Sequence, residues 1–252
     1  MKAKSIKGNS PQEIKAALEN AMSDGYTPTL AIIFISVKQD HKAICKLMDD
    51  ASIAVFGCTT NGEFIDEATE KGSIAILLLD INRSYFQIYF EEYPEKNYRE
   101  ITNRIAQKVK ERFSAPAFFI AGSNMETDAE ELLFGFEDVV GKEVNVYGCM
   151  AGDDFTFSDQ FVFTNEYSSS RGLVCLALDE EKIMIRGVAT CGWRAVGTLR
   201  TVTKSSGNHV YTVDDIPVLD ITTKYGGLEN VSPDNEGLLL EIAANFPLQL
   251  QR

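Results

Sequence analysis

The chain has 252 residues, 44% of them hydrophobic and 24% charged, and 24 Lys and Arg against 37 Asp and Glu leave a net charge of −13. That composition is ordinary for a globular protein long enough to bury a substantial core. Its acidity argues against nucleic acid and anionic membranes as partners, because like charge repels phosphate-rich surfaces.

Lys2, Lys4 and Lys7 have no apolar segment behind them, so no secretory signal is read at the amino end. Ser10 and Pro11 supply an N-cap and first turn for a helix reaching about Asp24-Gly25, with Ile14, Ala17, Leu18 and Ala21 on one stripe. Leu30–Ile35 is a continuous apolar run, which predicts a strand covered on both faces. Ile44, Leu47 and Met48 mark a second helix, and Ile53–Phe56 leads into Gly57-Cys-Thr-Thr-Asn-Gly-Glu63, read as a small-residue turn. Gly72–Asp80 is a further buried strand, and Tyr85–Phe90 follows as its expected antiparallel neighbour.

The pattern then restarts. A helix over 99–113 carries Ile101, Ile105, Val109 and Phe113, a strand spans Ala117–Ala121, and a helix covers Ala129–Val140. Val144–Tyr147 runs into a second Gly-Cys turn, Gly148-Cys-Met-Ala-Gly-Asp-Asp154; Gly172–Asp179 echoes Gly72–Asp80, and Ile183–Val188 takes the place of Tyr85–Phe90. Glycine to glycine the offset is 148 − 57 = 91 residues, too long for a solenoid repeat. The expected fold class is therefore α/β (mixed α+β), an internally duplicated domain over 1–215 with halves of about 10–93 and 95–190. Each half reads helix-strand-helix-strand-strand-strand, in a mixed parallel and antiparallel sheet. The two Gly-Cys turns are expected to face one another across a pseudo-twofold axis.

Beyond the second half, Gly187, Gly192 and Gly197 surround the single tryptophan, Trp193. Leu199–Thr203 is strand-like, Ser205–Asn208 is a turn, and Pro217 is expected to open a helix ended by Gly226-Gly227. Residues 216–252, with the apolar stretch Gly237–Ala243, read as the beginning of a C-terminal domain, truncated at Arg252.

Taken in order, Gly57-Cys-Thr-Thr-Asn-Gly-Glu63, Tyr147-Gly-Cys-Met-Ala-Gly-Asp-Asp154, Phe161-Val-Phe163, Gly192-Trp-Arg-Ala-Val-Gly197, Val202-Thr203, Gly207-Asn208 and Asp214-Asp-Ile-Pro217 resemble the FIST family. The resemblance covers about Thr29 to Tyr225, its N-terminal domain, and the remainder with Phe246-Pro247-Leu248 resembles the start of its C-terminal domain. It implies an intracellular sensory domain for signal transduction, attached to or serving an output module and binding a small ligand such as an amino acid.

Each candidate site residue carries two readings. Glu63, Asp153 and Asp154 either grip a ligand's ammonium or guanidinium group or cap the element that follows. Cys58 and Cys149 are either nucleophiles or small packing residues, and the chain holds only two histidines, His41 and His209, as candidate bases. Backbone N–H groups at Thr59, Thr60, Ala151 and Gly152 could receive an α-carboxylate, whereas phosphate-loop and dinucleotide fingerprints do not occur. Trp193 and Arg194 either face a small amphipathic ligand or pack at a joint.

The five cysteines lack a C-x-x-C pair and read as free thiols in a reducing cytoplasm. No run approaches the roughly 20 apolar residues of a membrane-spanning helix. The expectation is a cytoplasmic, non-enzymatic domain without cofactor or metal, whose partners are a small-molecule ligand and a signalling output protein. The oligomeric state has no signature. The rivals are a cysteine-dependent or metal-assisted enzyme and a pocketless interaction scaffold.

Overall fold

In the computed structural model, which describes residues 1–226 apart from Asp66, Glu67, Phe157, Ser158, Ala189, Cys191, Val196 and Asn208, the chain begins with strand β1 (Ala3–Gly8). The sequence pattern does not announce it. Ile6 is its one large apolar side chain, while Lys4 pairs with Asp24 at 2.9 Å and Lys7 pairs with Glu70. Next come α1 (Pro11–Met22), β2 (Leu30–Ser36), α2 (His41–Asp50) and β3 (Ala54–Thr60). Ser10 caps α1 as the sequence predicts, its Oγ accepting from the Glu13 N–H at 3.2 Å. A small hairpin of β4 (Glu63–Ile65) and β5 (Ala68–Glu70) precedes β6 (Ile74–Leu79).

The later elements are β7 (Phe86–Glu92), α3 (Tyr98–Arg112), β8 (Pro116–Gly122), α4 (Ala129–Val140), β9 (Val146–Met150), β10 (Val162–Phe163), β11 (Ser168–Ser169) and β12 (Gly172–Asp179). One sheet has the order β1-β6-β2-β3-β10-β11 and another β7-β12-β8-β9. Pairs β2/β3 and β8/β9 are parallel; β1/β6, β2/β6, β7/β12 and β8/β12 are antiparallel. The four-strand arrangements β1-β6-β2-β3 and β7-β12-β8-β9 thus share order and direction, within a mixed α/β fold.

Two expected elements fall differently. Tyr85–Phe90 does not pair with Gly72–Asp80: β7 lies along β12, Phe86 opposite Leu178, and stands in the second sheet where β1 stands in the first. The periodicity places a strand there correctly but carries no information about its partner. Ile183–Val188 is not a strand, because both edges of β12 are already taken by β7 and β8; Ile183 and Ile185 pack by their side chains, and Met184 and Val188 are exposed.

Alternation along single strands builds the layers. Ala31, Ile33 and Ile35 of β2 meet Ile14, Leu18, Ile44 and Met48 of α1 and α2, while Leu30, Ile32 and Phe34 turn to the opposite face. Along β12, Leu173, Cys175 and Ala177 meet α3 and α4, while Val174, Leu176 and Leu178 join that same inner layer. The two sheets therefore pack face to face with a helix pair on each outer side, and Phe56 meets Phe119 at 5.0 Å between ring centroids. This explains why β2, β6 and β12 read as continuous apolar runs.

The chain divides into two compact units, Met1–Val188 and Ala189–Arg252, earlier than the expected boundary at 215. In the second unit, β13 (Val202–Ser206), β14 (His209–Val213) and β15 (Ile216–Pro217) form an antiparallel sheet followed by α5 (Val218–Gly226). Pro217 ends β15 rather than opening the helix. Asp214 and Asp215, with φ of 50° and 63°, make the tight reversal between β14 and β15. The expected C-terminal domain lies mostly beyond residue 226, outside the described residues.

Candidate functional site

Gly57-Cys58 and Gly148-Cys149 lie inside β3 and β9, and the chain bends only after Thr60 and Met150. Close approach, not turn conformation, explains the first glycine: a Cβ at Gly57 would overlap the ring of Phe163 on the adjacent β10. Gly152 is needed for the same reason, since a Cβ there would stand 2.6 Å from Asn61 Oδ1.

The two bends do meet. Gly152 donates its N–H to the Thr59 carbonyl at 2.8 Å, and Asp153 donates its own to Asn61 Oδ1 at 2.8 Å. Phe161 and Thr59 are joined by two bonds, the Thr59 N–H donating to the Phe161 carbonyl at 2.8 Å and the Phe161 N–H to the Thr59 side-chain Oγ1 at 2.9 Å. Ala151 donates to the Gly122 carbonyl at 2.7 Å. The N–H groups of Ala151, Gly152 and Asp153 are therefore all committed inside the protein. This corrects the expectation that the second turn offers them to a ligand carboxylate.

Three carboxylates gather here with different fates. Glu63 is buried; its Oε1 accepts from Thr60 Oγ1 at 2.7 Å and its Oε2 accepts from both the N–H and Oγ of Ser73 at 3.0 Å. It acts as an internal brace. Asp153 is 4% exposed. The Asp154 side chain is 6% exposed: Oδ2 accepts from Ser36 Oγ at 2.6 Å and lies 3.9 Å from Lys38 Nζ, while Oδ1 is buried without a hydrogen-bond partner. Asp154 and Phe155 both hold left-handed backbone, φ 56° and 59°, a conformation that costs L-residues energy and recurs at functional sites. Ser36, Lys38 and Asn61 are contributors that sequence reasoning missed. Ser36 merely ends an apolar strand, and only the parallel pairing of β2 with β3 carries it toward the second turn.

The sulfurs of Cys58 and Cys149 stand 4.0 Å apart. Cys58 is fully buried; Cys149 belongs to the exposed end of β9, and its sulfur reaches back into a half-buried contact. Either thiol can donate in this contact; the hydrogen bond to Cys58 lowers the Cys149 pKa below the ordinary thiol value, while the same contact and burial push Cys58 well above it. Neither sulfur has a histidine among its hydrogen-bond partners in the described residues. His41 instead stacks on Phe161 and Phe163, with centroids at 5.3 and 5.1 Å, and its Nε2 meets Ser168 Oγ at 2.9 Å. Among the described residues no group of three or more His, Cys, Asp or Glu is placed to hold a metal ion.

Trp193 and Arg194 belong to the second unit, where both are exposed. Two surface hollows are shaped elsewhere in the first unit. One of about 460 Å³ is lined by Lys4, Ser5, Ile6, Ala17, Asn20 and Ala21; a smaller one touches Glu63 together with Phe64, Glu70 and Ser73. The first includes none of the bend residues. Its Lys4 is engaged with Asp24 and the Ala21 carbonyl.

The model of the FIST N domain matches residues 29–216, and the chain belongs to that family. The family is one of sensory domains implicated in signal transduction. No curated protein matches the chain. Among the described residues no helix is long and apolar enough to cross a membrane.

Proposed function

We propose that this FIST-family domain senses a small zwitterion, an amino acid, at the junction of its two bends. The carrying observation is Asp154 Oδ1, a carboxylate oxygen buried without a partner on a strained turn. An unpaired buried acceptor is expensive, and an ammonium group supplies the donor that relieves it. Lys38 Nζ, 3.9 Å from the other Asp154 oxygen and largely exposed, offers the opposite charge for a ligand carboxylate. Lys38 follows the carboxyl end of β2 and Asp154 that of β9, each strand being a member of a parallel pair, and the carboxyl ends of parallel strands are where open α/β sheets characteristically take their ligands.

Thr59, Thr60, Glu63, Ala151, Gly152 and Asp153 then shape and brace the site, and Cys58 and Cys149 form its floor. Trp193 and Arg194, exposed in the second unit, are proposed separately to offer a ligand an aromatic face beside a guanidinium. Ligand capture would alter how the domain engages an output protein.

Calorimetric titration of the full chain with each common amino acid tests this. Saturable heat with at least one amino acid is expected, lost by about tenfold or more in affinity in Asp154→Asn. Lys38→Ala should weaken amino acids while sparing the corresponding decarboxylated amines. No heat from any amino acid with a folded chain would overturn the proposal.

A further inference from the structure

We propose that Cys149 and Cys58 form a two-thiol oxidation site, at which a hydroperoxide oxidises Cys149 and Cys58 then closes a disulfide joining β9 to β3. The sulfurs are already 4.0 Å apart. A disulfide needs about 2 Å, a gap of a size that side-chain rotation can close. Their settings differ in the way such chemistry requires. Cys149 sits on an exposed strand end where an oxidant arrives first, and the fully buried Cys58 waits behind it. The Cys58 S–H also favours the Cys149 thiolate, the reactive form.

The remaining described thiols make the contrast. Cys45 and Cys175 are buried against the helices, and no sulfur lies among their hydrogen-bond partners. Burial pushes Cys45 up to about 12 and Cys175 higher still, so both stay inert thiols.

The chemistry balances as follows. The Cys149 thiolate attacks the outer oxygen of the hydroperoxide, the O–O bond breaks, and the alkoxide leaves and takes a proton, giving Cys149 sulfenic acid and an alcohol (water from hydrogen peroxide itself). Cys58 then attacks the Cys149 sulfur, the S–O bond breaks, and hydroxide departs with the Cys58 proton as water. Two thiols lose two electrons and one peroxide gains them. In a reducing compartment such a bond is transient and suited to sensing. It would tie together strands from different sheets just before Ala151–Asp154, fixing the geometry of that bend. The step needs no ligand, so it stands or falls apart from amino-acid binding.

The test is a non-reducing peptide map of the full chain after brief exposure to a small excess of hydrogen peroxide and quenching with iodoacetamide. The expected result is a Cys58–Cys149 linked peptide, two hydrogens lighter than its parts and released by dithiothreitol, with Cys45 and Cys175 alkylated only after denaturation. In Cys58→Ala, dimedone should trap Cys149 as the sulfenic acid, and the pH midpoint for Cys149 alkylation should move up toward that of an ordinary thiol. Two results would overturn the proposal: Cys149 left untouched by peroxide in the folded chain, or Cys149 joined to Cys191 or to a second chain instead of Cys58. The wild-type map decides the matter alone if Cys58→Ala does not fold.

Discussion

Strands β3 and β9 carry nearly the same words, Val55-Phe-Gly-Cys58 and Val146-Tyr-Gly-Cys149, and each pairs parallel with the strand before it. Their surroundings diverge. β3 is flanked on its far side by β10, and Val55 through Cys58 are buried. β9 ends its sheet among the described residues, and Gly148 through Met150 are exposed. A motif therefore specifies a strand and its parallel partner, but the far neighbour decides whether its residues become core or surface. In this chain β10 follows β9 in sequence yet covers β3, leaving β9 as the accessible copy.

The widest test of that contrast is truncation of the aromatic before each glycine. Phe56 fills the space between the sheets, so Phe56→Ala should cost about 3–5 kcal/mol, whereas half-buried Tyr147→Ala should cost about 1–2 kcal/mol. Urea midpoints compare them, and equal losses would erase the distinction.

A smaller effect separates the glycines themselves. Gly57→Ala collides with a side chain, the Phe163 ring, while Gly148→Ala collides with the Ile120 carbonyl. Each should cost about 1–3 kcal/mol. Phe163→Leu should recover part of the Gly57→Ala loss in a double-mutant cycle, whereas truncating Ile120 relieves only its Cγ1 contact and leaves the carbonyl clash of Gly148→Ala in place, so it should recover less.

The cysteines should differ less. Cys58→Ser places a hydroxyl in an apolar interior and should cost about 1–2 kcal/mol, against less than about 0.5 kcal/mol for exposed Cys149→Ser. Thermal midpoints under reducing conditions measure both.

The smallest effect is on acid stability. Burial holds the His41 pKa below 6.5, so the folded chain binds fewer protons than the unfolded chain. That contribution is intact above the unfolded value of 6.5 and is lost as pH falls from there toward the folded value. His41 stacks on Phe161 and Phe163, next to β10, so acid should loosen the cover of β3 and spare β9. His41→Gln should flatten the acid limb of the midpoint-against-pH curve; an unchanged slope would remove His41 from this role.

The helices and most strands were legible because each buries a stripe or face whose spacing the sequence displays; Ala129–Val140 and Gly172–Asp179 match their expected ends. Strand β1 was not, since a lysine, Lys4, shares the face of Ile6 and one isoleucine makes no pattern. Of the site, the bends and their carboxylates were visible as motifs. Ser36 and Lys38 were not, because they lie 118 and 116 positions from Asp154 and nothing local marks them.

The sequence by itself determined the helices and most of the strands, that several strands are covered on both faces, and that two Gly-Cys segments share a place in a recurring order. Those are local properties, set by side-chain period, caps and backbone preference. Which strand lies beside which, which of two like cysteines is buried, and which of three carboxylates keeps an unpaired oxygen were decided only by tertiary structure. Each depends on neighbours drawn from distant parts of the chain.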